Sequence, residues 1–221
     1  MSCPRPQITY LKVHARLWRG LIRASHCAVA RTQASAPELS RYCALDGSLQ
    51  PGVVACIAFD IHTSKYKSAR VTELCDTPVN RKLMLPELYA KLGPRAFKGS
   101  TDFGMDSEDE LSREQKTMLC TWSSFVRHQL HTWTGGDTMT VVGVCHGGAN
   151  RSGLFAGWAK RAIEGEVDEA DACMPQNDYY RAVVLEGLDV DPVDVKQRAR
   201  KRRREVASLA ALAHKQRAAS E

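Results

Sequence analysis

Between Thr138 and Gly153 the chain reads Thr-Met-Thr-Val-Val-Gly-Val-Cys-His-Gly-Gly-Ala-Asn-Arg-Ser-Gly. This is a β-branched strand that runs into a Gly-rich turn and straight on into a helix. Other segments repeat the pattern. Val53 to Phe59 is an apolar run of strand length, and Arg70 to Leu74 suits a second, shorter strand. Leu83 to Leu92 has helical spacing and meets Gly93-Pro94. Ser112 to about Trp133 predicts a long helix with Met118, Leu119, Trp122, Phe125, Val126 and Leu130 as its apolar stripe, closed by Gly135-Gly136. The helix opened by Arg151 turns Leu154, Phe155, Trp158, Ala159, Ala162 and Ile163 inward and stops near Gly165. Helical spacing resumes from Asp178 to Leu188. Strands alternating with helices predict an α/β fold, with a mostly parallel central sheet flanked by helices. The Gly-rich turn then lies at a strand's carboxyl end, where such sheets place their ligands.

Charge divides the chain into three. Residues 1–37 hold six basic and no acidic residues, and residues 190–221 hold nine basic against four acidic. With a net charge of +6, the middle is left at about −5. The expected parts are a basic N-terminal extension over 1–45, a central domain over 46–190, and a basic C-terminal helix or tail over 191–221. In the first, Lys12, Arg16, Arg19 and Arg23 fall on one helical face, with Leu11, Trp18 and Ile22 among its apolar positions. That composition suits a mitochondrial transit peptide, a solvated basic helix or a disordered arm. Pro37 to Pro51 reads as linker. The run Lys201 to Arg204 suits a nuclear localisation signal, a phosphate-backbone contact or a solvated helix face. The acidic middle argues against a broad nucleic-acid groove.

No stretch approaches the roughly eighteen consecutive apolar residues of a membrane span. The eight Cys form no CxxC pair, and no secretory signal is legible, so the expected setting is intracellular, in nucleus, cytoplasm or mitochondrion. No metal-ligand spacing occurs and no cofactor is expected. His128 and His131, one turn apart, read as polar positions on a helix flank.

The turn itself has the residues needed to seat a phosphate on backbone amides and attack it with a thiolate. A thiol of pKa about 8.5 is only a few per cent ionised at neutral pH, and only the thiolate is nucleophilic. A turn curled around the sulfur of Cys145 and ending at a helix N-terminus aims several N–H groups and the positive dipole end at it. Gly147 and Gly148 allow the positive φ that such a nest requires. Arg151 carries a planar fork matching two phosphoryl oxygens. Ser152 can hydrogen-bond the sulfur as it leaves. Cys-x5-Arg alone decides nothing, because eight Cys among this many Arg yield about one chance pair. One exists, Cys75 to Arg81, and it fails the physical requirements. Pro78 removes a backbone donor, Asp76 repels phosphate, and no Gly relieves the turn.

Cys145 to Ser152 resembles the Cys-x-x-Gly-x-x-Arg-Ser/Thr loop of the cysteine-dependent protein tyrosine and dual-specificity phosphatases. The tail Asn150-Arg151-Ser152-Gly153, behind Gly143-Val144, is also similar to the loop of cysteine-dependent RNA 5′-triphosphatases. The likeness is tight over about thirteen residues and loose over residues 100–190. It implies a phosphatase-like catalytic domain over 46–190, with Cys145 as nucleophile, Arg151 as phosphate clamp and Ser152 as leaving-group helper. His146, Gly147, Gly148, Ala149, Asn150 and Arg151 would bind the phosphate. Val144 stands where the family usually has a His, which removes one support of the thiolate.

The family's general acid lies on a loop about thirty to forty residues before the Cys, ahead of a helix, where residues 98–110 are rich in carboxylates. Asp106 and Asp109 fit best, with Asp102 as an outer choice; the competing role for such residues is capping the helix that follows. The expected substrate is a phosphorylated protein, with an RNA 5′ end as the alternative. A rhodanese-like sulfurtransferase and a phospho-binding module without turnover are the other functions open to this loop.

Overall fold

A computed structural model describes residues 5–14, 42, 48–57, 92–99, 110–145 and 148–218. Four strands, β1 (Gln7–His14), β2 (Val53–Ile57), β3 (Ala96–Lys98) and β4 (Thr138–Cys145), form one sheet in the order β1-β4-β2-β3. Every neighbouring pair is parallel, with Tyr10 beside Val141, Val54 beside Val141, and Cys56 beside Phe97. The α/β expectation therefore holds, with the sheet wholly parallel among the described residues.

Alternation along the strands sorts side chains to two faces. Tyr10, Val54, Cys56, Met139 and Val141 point to one side, where they pack with Leu119, Trp122, Val126, Leu154, Phe155 and Val183. Val13, Val53, Ala55, Ile57, Val142 and Val144 point to the other, against Leu49 and Leu92. Both faces of β2 and β4 are thus covered, which is why these strands read as unbroken apolar runs.

The helices on the first face are α1 (Arg113–His131), α2 (Arg151–Glu164) and α3 (Asp178–Glu186). The helix α1 starts on a reciprocal capping box, in which Ser112 Oγ accepts from Gln115 N and Gln115 Oε1 accepts from Ser112 N. Its buried Trp122 donates to Phe155 O of α2 at 2.8 Å. His128 and His131 lie exposed in its last turn, as the flank reading expects. The helix α2 stops at Gly165, whose φ of 85° is left-handed. Asn177 caps α3 by accepting from Tyr180 N. The last helix, α4 (Pro192–Ala218), rests its first half on α3 through Val195 and the pairs Arg198–Glu186 and Arg203–Asp178. Beyond Arg204 its side chains are exposed through Arg217.

The N-terminal segment corrects one expectation. Leu11 and Lys12, the first residues of the expected helical face, lie instead in the strand β1, hydrogen-bonded along its length to the central strand β4. The period is two rather than 3.6: Ile8 and Tyr10 face the helices, Leu11 and Val13 the other side. Lys12, read as part of a basic helical stripe, sends its ammonium to Met174 O at 2.5 Å. The sheet consequently begins inside the segment expected to be an extension over 1–45. Arg16, Trp18, Arg19, Ile22 and Arg23 lie outside the described residues, as do Arg70 to Leu74, the helix expected from Leu83, and the Cys75 to Arg81 pair. Gly93–Arg95 is a 3-10 turn and Ala96–Lys98 a short strand, neither of them expected from the sequence.

Candidate active site

The strand β4 ends at Cys145, and α2 begins six residues later at Arg151. Between them Gly148 adopts φ 63°, the left-handed conformation foreseen for it, and its N–H donates to Cys145 O at 3.3 Å. The turn brings Cys145 Sγ to 3.2 Å from Ser152 Oγ in the first turn of α2. Cys145, Arg151 and Ser152 are 3%, 7% and 0% exposed, so all three are enclosed where the central strand ends and α2 begins. Ser152 places the sulfur at the positive end of the α2 dipole. Asn150, the N-cap residue, makes no side-chain cap bond. Its Oδ1 accepts from Asn177 N at 2.9 Å instead.

Two glycines permit close approaches at the start of α2. A Cβ on Gly143 would stand 2.1 Å from Ser152 O, so only glycine lets the start of α2 lie against the strand backbone. A Cβ on Gly153 would stand 2.7 Å from Pro175 Cα and 3.0 Å from Cys173 O. The segment behind Gly153 then holds the turn from outside: Gln176 N donates to Ala149 O at 3.2 Å, and Asn177 N to Asn150 Oδ1. Of the expected phosphate-binding residues, Ala149 and Asn150 are thus gripped by the segment before α3, through a carbonyl and a side chain respectively.

Two other thiols are of a different kind. Burial pushes the Cys56 thiol well up and raises that of Cys173, which keeps both protonated and unreactive. Cys120 is exposed on α1. Among the described residues no group of three or more His, Cys, Asp or Glu is placed to hold a metal.

The structure brings together Cys145, Gly148, Ala149, Asn150, Arg151 and Ser152. His146, Gly147 and the acid candidates Asp102, Asp106 and Asp109 lie outside the described residues. Sequence reasoning assigned no role to Gly143, Gly153, Gln176 or Asn177. Only Asn177 carried a local signal, as a cap residue immediately before a helix. Neither a protein-family model, nor a curated protein, nor a solved structure matches this chain. No described helix is long and apolar enough to cross a membrane.

Proposed function

We propose that the protein is a cysteine-dependent phosphatase that hydrolyses phosphate monoesters of phosphoproteins, with dual-specificity-like chemistry. The observation that carries this reading is Cys145 Sγ at 3.2 Å from Ser152 Oγ, at the N-terminus of a helix whose first residue is the buried Arg151. A nucleophile and a hydroxyl in contact with it then stand at a helix N-terminus, where backbone N–H groups favour an anion, and the helix opens on an Arg, the residue type that pairs two phosphoryl oxygens.

In the proposed reaction the Cys145 thiolate attacks phosphorus and displaces the substrate oxygen, forming a phosphocysteine. A carboxylic acid, Asp106 or Asp109, protonates the departing oxygen. Water then attacks phosphorus, giving its proton to the carboxylate left by the first step; the S–P bond breaks and the electron pair returns to sulfur as Ser152 turns its O–H toward it. Because Cys145 is only 3% exposed, the reading requires phosphate to reach the sulfur from the side of the 146–150 turn.

Hydrolysis of p-nitrophenyl phosphate, inhibited by vanadate and abolished in Cys145→Ser, is the expected result. Activity undiminished in that variant refutes the reading, as does a native Cys145 that iodoacetate never alkylates. A triphosphate-ended RNA, thiosulfate with cyanide, and a phosphopeptide binding assay on the same preparation separate the RNA 5′-triphosphatase, sulfurtransferase and phospho-binding alternatives. Comparing Asp102→Asn, Asp106→Asn and Asp109→Asn on poor leaving groups identifies the proton donor.

A further inference from the structure

Residues 173–177 are held to the sheet on one side and grip the turn on the other. Gln176 N donates to Ala149 O at 3.2 Å, and Asn177 N to Asn150 Oδ1 at 2.9 Å. From the sheet, the Lys12 ammonium donates to Met174 O at 2.5 Å. Lys12 stands beside Gly143 in the register of β1 on β4. Paired residues of parallel strands face the same way, so the Lys12 side chain leaves the sheet on the face where Ser152 O lies against that glycine. The start of the segment is fixed separately, by Lys160 on Asp171 at 2.7 Å and by Met174 N on Asp171 O at 2.9 Å. The bond from Gln176 also orients a peptide plane, because a trans peptide carries its C=O and N–H on opposite sides. With Ala149 O turned toward Gln176, the Asn150 N–H in the same plane points away from residues 174–177, to the inner side of the turn. Among the described residues that N–H has no acceptor, which leaves it to a bound anion together with the first N–H groups of α2.

We propose that Lys12 is a positioning residue for this site: by holding Met174 O it seats residues 174–177 against the turn, and that seat keeps the Asn150 N–H directed at the phosphoryl group. The proposal rests on the phosphatase reading and adds to it a residue of β1, 162 positions from the carbonyl it holds. Met174 is only 3% exposed, so without the ammonium its carbonyl is left buried and unpaired, and the segment must move to let water reach it. Asp171 fixes one end of that movement and Asn177, the cap of α3, the other. The shift is then taken up between them, where Gln176 N holds Ala149 O, and the peptide plane that carries the Asn150 N–H turns with it. Lys12 itself touches neither the sulfur nor the phosphate in this account.

The test compares three variants of the full chain. Lys12→Met keeps an unbranched stem and removes the donor, Lys12→Arg keeps a donor of similar reach, and Arg127→Met is the control. The control removes a bond of the same kind, from Arg127 to Ala162 O at the far end of α2. On p-nitrophenyl phosphate, Lys12→Met should lose about tenfold in kcat with KM changed by less than about twofold, since a displaced donor weakens the transition state more than the bound substrate. The inhibition constant for vanadate, which takes the five-coordinate geometry of that transition state, should rise by a similar factor, and that for inorganic phosphate should hold. Lys12→Arg should recover most of the rate, and Arg127→Met should be native throughout. A merely structural role lowers the active fraction and leaves both inhibition constants native. That outcome overturns the proposal, as does a native rate in Lys12→Met or no recovery in Lys12→Arg. Should Lys12→Met not fold, Lys12→Gln takes its place, with an amide that ends one bond short of the ammonium. If the native chain hydrolyses no aryl phosphate, the phosphatase reading has failed on its own account, and amide hydrogen exchange reads the seat alone. In Lys12→Met the Gln176 and Asn177 amides should then exchange about tenfold faster with those of α1 unchanged, which sustains the positioning role; native exchange at both refutes it.

Discussion

Gly143→Ala tests the packing on which the site depends. Gly143 precedes Cys145 by two residues and touches no proposed substrate, yet its added methyl would sit 2.1 Å from the carbonyl oxygen of Ser152. Ordinary contact begins near 3.4 Å, so strand and helix must separate by about 1 Å. The obstacle is backbone of the helix bearing Arg151 and Ser152, not a side chain that can rotate away. Moving that helix start pulls Ser152 Oγ from its 3.2 Å contact with Cys145 Sγ. Displacement of this size costs on the order of 100-fold in a positioned reaction, and overpacking costs about 1–3 kcal/mol of stability. Gly157→Ala, on the same helix, is the matched control. Its methyl meets side-chain atoms of Val184 at 2.9 and 3.1 Å, and the gain in helix propensity of about 1 kcal/mol offsets much of that crowding. Urea melts followed by circular dichroism, with aryl phosphate hydrolysis alongside, read both effects. Gly143→Ala should lose stability and activity while Gly157→Ala keeps most of each. A Gly143→Ala protein with native midpoint and native rate would show that strand and helix do not meet this closely, and the argument would fall.

Four further outcomes are expected. Arg151→Lys should lower kcat/KM on aryl phosphate by about 100-fold or more, because an ammonium cannot match two phosphoryl oxygens at once; Ser152→Ala should slow release of the phosphocysteine instead, visible as a rapid product burst followed by a reduced steady rate. Asp171→Asn should destabilise the fold by up to about 1 kcal/mol at neutral pH, since the Lys160 ammonium at 2.7 Å holds the Asp171 carboxyl below its usual 3.8. A depressed carboxyl stabilises the folded state above its ordinary pKa and ceases to do so as pH falls through the folded value, so variant and parent should converge in urea melts at strongly acid pH. Cys56 should resist thiol reagents until the protein unfolds, whereas Cys120 should be labelled in the native state, as peptide mapping after brief alkylation would read.

The local pattern of the chain was enough to place most of its helices and its central strands. Val53 and the residues after it, Thr138 to Val144, and the helices opening at Ser112, Arg151 and Asp178 carry their periods openly, because both-face burial and one-face burial leave different spacings. The chemistry of the turn was equally local: a Cys, a Gly at positive φ, an Arg and a Ser within eight residues, all in one strand–turn–helix unit. What the sequence by itself could not determine is whatever depends on contact between distant segments. Leu11 and Lys12 read as the start of a basic helical face until β4 supplies their hydrogen-bonding partner, for a strand beside a central strand is defined by its neighbour more than by its own residues. Gly143 and Gly153 look like ordinary small residues until the start of α2 and the Cys173–Pro175 backbone are brought within 3 Å of where a methyl would stand. Gln176 and Asn177 meet the turn across 27 residues of chain, and α4 reaches the same segment from further still. Periodicity and reactive side chains are written along the chain, whereas close approach, shared burial and the grip on the turn exist only once the sheet has brought those segments together.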